Sequence, residues 1–129
     1  MKDGFVALIS VLLIATILLL IVSTLNFTGY VARVSVLDSE LKEMSQSLAE
    51  GCLNIGIIKL AGNSNLTLTT PETHSINNYP CQIISIQANG YYKTIVTQAI
   101  VNDIYTNLKT DIDPTSLKVV SQIELATTP

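Results

Sequence analysis

FVALISVLLIATILLLIV, residues 5 to 22, decides how the rest of this chain is read. The run holds no charged residue, its only polar members are Ser10 and Thr16, and no residue charged at neutral pH lies between Asp3 and Arg33. Eighteen such residues predict a membrane-spanning helix rather than a buried core helix. Hydrocarbon offers no partner to a backbone amide, so the run must be helical there. At 1.5 Å per residue it spans about 27 Å, close to the roughly 30 Å of a bilayer's apolar layer. A removed secretory signal has a basic region, an apolar core of about 7 to 15 residues and a small-residue cleavage site. This run is longer and no clean small-x-small site follows it, which favours a retained anchor and makes the remainder a tethered body.

That body is small. Of 129 residues about 100 remain outside the span, enough for one domain. The net charge is −3, and the seven basic residues (Lys2, Arg33, Lys42, Lys59, Lys93, Lys109 and Lys118) are scattered, so no footprint for nucleic acid is concentrated anywhere. Charge does not orient the span either, because Lys2 is offset by Asp3 and Arg33 lies on the other side.

Outward from the span, Ser23, Thr24, Asn26, Thr28 and Gly29 make a more polar passage with Phe27 and Tyr30, aromatic residues suited to a membrane interface. No proline occurs before Pro71, so nothing obliges the helix to stop there; a short loop between two helices is the alternative. From Arg33 the apolar positions Val34, Leu37, Leu41, Met44, Leu48, Cys52 and Ile55 recur in steps of three or four, while Glu40, Lys42, Glu43 and Glu50 fall off that stripe. Gly62-Asn63-Ser64-Asn65 ends the pattern with residues that favour turn conformations. A continuous helix from Phe5 to Ala61 would be about 85 Å long and would need a membrane, a partner helix or a sheet along its flank.

Past residue 65 the period changes to two. Leu66 to Thr69 is a short strand candidate, Pro71 to Asn78 reads as loop, and Asn77-Asn78-Tyr79-Pro80 reads as a turn. Cys81 to Gln87 is a strand, Asn89-Gly90 a hairpin signal, Tyr91 to Val101 the return strand and Asn102-Asp103 a second turn. Ile104 to Ile112 continues the meander, Asp113-Pro114 breaks it, and Leu117 to Leu125 is a last strand. A helix over Gln98 to Leu108 is the alternative in that region. Ile84, Ile86, Tyr92, Thr94, Val96, Val119 and Ile123 would line one sheet face or its reverse, depending on register. The expected fold is α+β: a long N-terminal helix, membrane-spanning in its first half, packed against a small antiparallel sheet.

Cys52 and Cys81 form neither a CxxC pair nor, with one histidine in the chain, a zinc site. A bridge between them would place the body in an oxidising compartment and staple the helix end to the first long strand; two free buried cysteines are the alternative. Catalytic chemistry is sparse. His74 sits between Thr73 and Ser75 and reads as an ordinary loop residue, Asp103, Asp111 and Asp113 do not match a calcium loop, and no glycine-rich phosphate loop occurs. No enzyme activity, cofactor or metal is expected.

Gly4-Phe5-Val6-Ala7-Leu8-Ile9-Ser10-Val11-Leu12-Leu13 resembles the N-terminal signal of type IV prepilins and pseudopilins, most closely that of minor pilins. The plan of the whole chain is similar too, with a cysteine near the end of a long helix and a second at the start of a strand. The resemblance implies a leader over 1–4 that prepilin peptidase removes after Gly4, leaving Phe5 as a methylated N-terminus. It implies a membrane and filament-core helix over 5–25, an amphipathic continuation over 26–62 and a β-rich extracytoplasmic domain over 63–129. Most major pilins of this family carry glutamate at the fifth mature position; here that position is Ile9. The departure implies a minor, tip or priming subunit of a pilus or pseudopilus, with other pilin-like subunits, the peptidase and an inner-membrane assembly platform as partners and no direct contact with nucleic acid. The competing expectation is a membrane-anchored extracytoplasmic binding or sensor module outside any filament.

Overall fold

A computed structural model describes residues 2 to 126. One helix, α1 (Lys2–Gly62), is followed by five strands: β1 (Glu72–Ile76), β2 (Tyr79–Asn89), β3 (Tyr92–Val101), β4 (Ile104–Ile112) and β5 (Val119–Leu125). The strands form one antiparallel sheet in the order β1-β2-β3-β4-β5, each beside its neighbour in the chain. The α+β class read from the periodicities is the class observed. The chain divides into two compact units, one up to Asp38 and the other from Ser39 onward.

Within the first unit α1 is unbroken, including the polar passage where a loop was the alternative. The hydroxyls there do not compete with the helix. Ser10, Ser23 and Thr28 donate to the carbonyls of Val6, Leu19 and Thr24, and Thr16 and Thr24 donate to those of Leu13 and Ile21, all at 2.8 to 2.9 Å. Each satisfies its own donor within one turn, which makes a hydroxyl tolerable in an apolar surrounding.

In the second unit the last part of α1 covers the sheet. The buried helix residues are Ser45, Leu48, Ala49, Cys52, Leu53, Gly56 and Leu60, a stripe turned from the one the apolar spacing suggested. Met44 is exposed, while Leu41 and Ile55 pack only at the margin. Small residues set this rotation, because Ser45, Ala49, Cys52 and Gly56 let the helix approach the strands closely. A Cβ on Gly56 would stand 3.2 Å from Ile95 Cδ1. Cys52 and Cys81 are joined across this contact, their Cα atoms 6.1 Å apart, closing a span of 29 residues. A loop of that size stabilises the body by roughly 3 to 4 kcal/mol in the chain-entropy account.

The helix-facing surface of the sheet carries Cys81, Ile83 and Ile86 on β2, Ile95, Thr97, Ala99 and Val101 on β3, and Thr106, Leu108, Thr110 and Ile112 on β4. Of the residues expected to share one face, only Ile86 lies here. Tyr92, Thr94 and Val96 point the other way, and Val119 and Ile123 are exposed on the edge strand. Tyr92, Thr94 and Val96 face away because the hairpin register pairs Asn89 with Tyr92 and therefore Ile86 with Ile95. A β-bulge between Ile83 and Ser85 separately puts Ile83 and Ile86 on one side although they are three residues apart.

Two further expectations are corrected. Pro71 to Asn78 is not all loop, since Glu72 to Ile76 pairs with β2 in the register Glu72↔Ile83 to Ile76↔Tyr79. Asn77 and Asn78 both have positive φ, 51° and 67°, the conformation of a tight two-residue hairpin, so Tyr79 and Pro80 already belong to β2. Leu66 to Thr69 shrinks to a single bridge. Leu68 exchanges both backbone hydrogen bonds with Ile86, at 2.8 and 3.0 Å, where β1 no longer reaches the edge of β2. The β3–β4 hairpin falls where expected, and the β2–β3 turn is one residue later, at Gly90 and Tyr91, with Asn89 paired to Tyr92. Gly90 has φ 63° between Asn89 and Tyr92, Asn102 and Asp103 have φ 46° and 65°, and Gln98 to Leu108 is strand, turn and strand rather than helix.

Candidate functional site

From Phe5 to Val22 every large apolar side chain is exposed on α1, from 43 % at Ile9 to 68 % at Leu20. The exposure runs around the whole helix instead of along one stripe, and a surface of that kind is stable only in an apolar phase. The segment is long and apolar enough to cross a membrane once. Gly4 stands just before it; a Cβ there would meet no atom within 4 Å, so nothing in the fold of this unit requires glycine at that position. Ile9 presents an alkyl surface, and the nearest polar side chain in sequence, Ser10, is engaged with the Val6 carbonyl.

The second unit stitches helix to sheet with polar groups as well as apolar ones. Ser45 shares a 2.9 Å hydrogen bond with Thr106, and the Thr97 hydroxyl donates to the Ala49 carbonyl at 3.2 Å. Lys42 donates to the Tyr105 carbonyl and to Thr106 Oγ1, each at 3.0 Å, and pairs with Glu124. None of these was legible in advance, because buried hydroxyls look like surface residues in a sequence. Their signal is alternation: Thr97, Thr106 and Thr110 occupy the same parity as Ile95 and Leu108.

The opposite face of the sheet is polar. Its rungs run Thr73-Gln82-Gln98-Asn107 and Gln87-Thr94-Asp111-Ser121 across neighbouring strands. Gln98 Nε2 donates to Asn107 Oδ1 at 2.8 Å, Thr94 Oγ1 to Asp111 Oδ1 at 2.6 Å and Ser121 Oγ to Asp111 Oδ2 at 3.0 Å. The Thr94 hydroxyl, followed by that of Ser121 and the charge of Lys109, holds the Asp111 carboxyl below its usual value. A shallow cleft of 540 Å³ lies on this face, lined by Ser85, Gln87, Asn89, Thr94, Val96 and Lys109 among others. It offers both donors and acceptors.

His74, expected in a loop, is on β1. Its Nε2 lies 3.6 Å from Glu72 Oε2 without a hydrogen bond, while Glu72 pairs with Lys59, whose ammonium depresses the Glu72 carboxyl. Asp113 closes the turn before β5. Its Oδ1 accepts from the Thr115 hydroxyl at 2.6 Å, from the Thr115 amide at 2.8 Å and from the Ser116 amide, which hold its carboxyl at about 2. Among the described residues no group of three or more His, Cys, Asp or Glu side chains is gathered as for a metal ion. The residues singled out from the sequence thus fall into two sets: Gly4, Phe5 and Ile9 on the apolar segment, and Cys52 joined to Cys81 in the body. Comparison with protein-family models, with curated proteins and with solved structures returned no match.

Proposed function

We propose that this chain is a low-copy pilin-like subunit, held in a membrane by α1 and used in priming or capping a pilus or pseudopilus. The observation that carries the reading is the junction at Gly4: glycine with no packing role stands directly before a helix segment that is apolar on all sides. Prepilin peptidase would cut between Gly4 and Phe5, and the assembly platform and other pilin-like subunits would receive the new N-terminus. Ile9 limits what the subunit does next. Each addition to a uniform filament brings a positive amino group into an apolar interior, and an isoleucine offers it no carboxylate. A charge buried without a partner costs several kcal/mol, so growth requires a neighbour that supplies the acid.

N-terminal mass spectrometry of the membrane-extracted protein tests the cut. Phe5 at the N-terminus supports the reading, and intact Met1 in cells with an active prepilin peptidase rejects it. Expression as the only pilin-like subunit beside a complete assembly machine, followed by electron microscopy of sheared fractions, tests the role; abundant filaments of this chain alone would overturn the low-copy assignment.

The polar cleft favours a second reading, a membrane-anchored binding or sensor module whose sheet face outside the membrane receives a hydrogen-bonding ligand. Retained Met1, together with activity that depends on Gln87 and Lys109, distinguishes it.

A further inference from the structure

Beyond the uniformly apolar segment the first unit carries an amphipathic stretch whose apolar side has no cover. Phe27, Tyr30, Val34 and Leu37 follow one another in steps of three, four and three, so they lie along one side of α1 with the seven-residue repeat of a coiled-coil seam. All four are at least half exposed, from 50 % at Val34 to 71 % at Phe27. The side of the helix turned away from these four carries Gly29, Ala32, Ser35 and Val36, which do not continue such a seam.

Two charges flank it. Arg33 immediately precedes the seam residue Val34, and Asp38 immediately follows the seam residue Leu37. These are the two edge positions through which coiled-coil partners exchange ion pairs. In a parallel, in-register pair of identical helices, the edge residue before one seam position faces the partner's edge residue five places further along. Arg33 of each copy then faces Asp38 of the other, and the symmetry makes the attraction twice. Among the described residues neither charge has an ion-pair partner within its own chain. A β-branched residue at Val34 and leucine at Leu37 are the alternation that favours two strands.

We infer that Phe27 to Asp38 is a self-association seam, and that its occupant is the same segment of a second copy, parallel and in register. Parallel orientation follows from the apolar segment, since two copies that enter one membrane through Phe5 to Val22 run the same way. The short seam needs no large intrinsic affinity, because a shared bilayer confines both copies to two dimensions and raises their effective concentration. The pairing does not rest on the filament reading. A tethered binding module would pair in the same manner.

The test uses the full-length chain reconstituted alone in phosphatidylcholine vesicles, with the Cys52 to Cys81 bridge intact. Val34→Cys and Val36→Cys place the same thiol on the same residue type at nearly the same depth, on opposite sides of α1. Oxidative cross-linking should join V34C copies through residue 34 several-fold more than V36C copies through residue 36. Equal yields, or monomer only, would overturn the seam and leave lipid as its cover. In the V34C background, Arg33→Asp and Asp38→Arg each place like charges across the pair, and each alone should lower the yield roughly fivefold, the scale of two exposed ion pairs. Mixing the R33D and D38R chains restores both attractions and should bring the yield back in mixed dimers. Failure of the mixture to recover would reject the parallel register, since a helix merely damaged by either substitution gains nothing from mixing. Membranes of a native host supply the remaining comparison: V34C captured there only by another protein would mean that the seam serves a different helix.

Discussion

Thr97 and Thr110 stand on the same sheet face, both fully buried, yet one is satisfied and the other is not. The Thr97 hydroxyl reaches the Ala49 carbonyl on α1, whereas Thr110 Oγ1 has no hydrogen-bond partner among the described residues. Removing a satisfied hydroxyl costs about 1 kcal/mol net, and removing an unsatisfied one relieves a desolvation penalty of similar size. Thr97→Val should therefore lower the stability of the body by about 1 kcal/mol and Thr110→Val should raise it by up to about 1 kcal/mol. Urea unfolding of the two variants under non-reducing conditions measures the difference in sign. Equal effects would mean that Thr97 gains nothing from its bond to the helix. Gly56 belongs to the same contact. Leucine there has no space beside Ile95 and Ile83 and should cost at least about 1 to 3 kcal/mol through overpacking, read in the same unfolding experiment.

At the level of elements, the turn that launches β5 is the most acid-sensitive joint. Asp113 bonds to Thr115 and Ser116 only as a carboxylate acceptor, and its folded value of about 2 lies below the ordinary 3.8. A depressed value means that the stabilisation is present above the ordinary value and is lost as pH falls from there toward 2. Asp111, held down chiefly by Thr94, and Glu72, held down chiefly by Lys59, lose their contributions in the same direction. Carboxyl carbon NMR should find Asp113 titrating near 2, and Asp113→Asn should flatten part of the acid loss in that window. A midpoint near 3.8 would show that the turn does not hold the charge. Such joints also explain what was legible beforehand. Gly90 and Asn102-Asp103 announced their hairpins because left-handed conformations demand particular residues, whereas the Gly62-Asn63 signal marked the end of α1 although neither residue is left-handed. The β1 strand was hidden because Pro71, His74 and two asparagines resemble a loop until the Asn77-Asn78 turn is recognised as a hairpin. The sheet face was misread because the hairpin register pairs Ile86 with Ile95 and a bulge shifts the parity of β2 at Ile83, and the helix stripe because glycine, alanine and serine carry no hydrophobic signal while deciding which side approaches the strands. At the N-terminus the apolar segment was plain from composition alone, whereas the bulge-shifted polar cleft was not.

For the molecule as a whole, all buried core residues among those described lie between Leu48 and Ile112, inside the unit that begins at Ser39. The chain from Ser39 onward should fold without detergent, with cooperative melting and a mixed helix and strand circular dichroism spectrum. Aggregation or a disordered spectrum would show that the body depends on the membrane segment. The link from Cys52 to Cys81 has one further consequence, which concerns mechanical load. A pull applied through α1 reaches Cys52, crosses the two sulfurs to Cys81 and enters β2 directly, so the end of the helix, the Leu68 bridge and β1 lie outside the line of tension. Stretched between its ends by optical tweezers, the oxidised chain should stop short of full extension by the 29-residue span it bypasses, roughly 100 Å of backbone. Reduction should release that hidden length as added extension, while the oxidised protein, however far the rest of the sheet is drawn out, should keep β1 and the helix end slack.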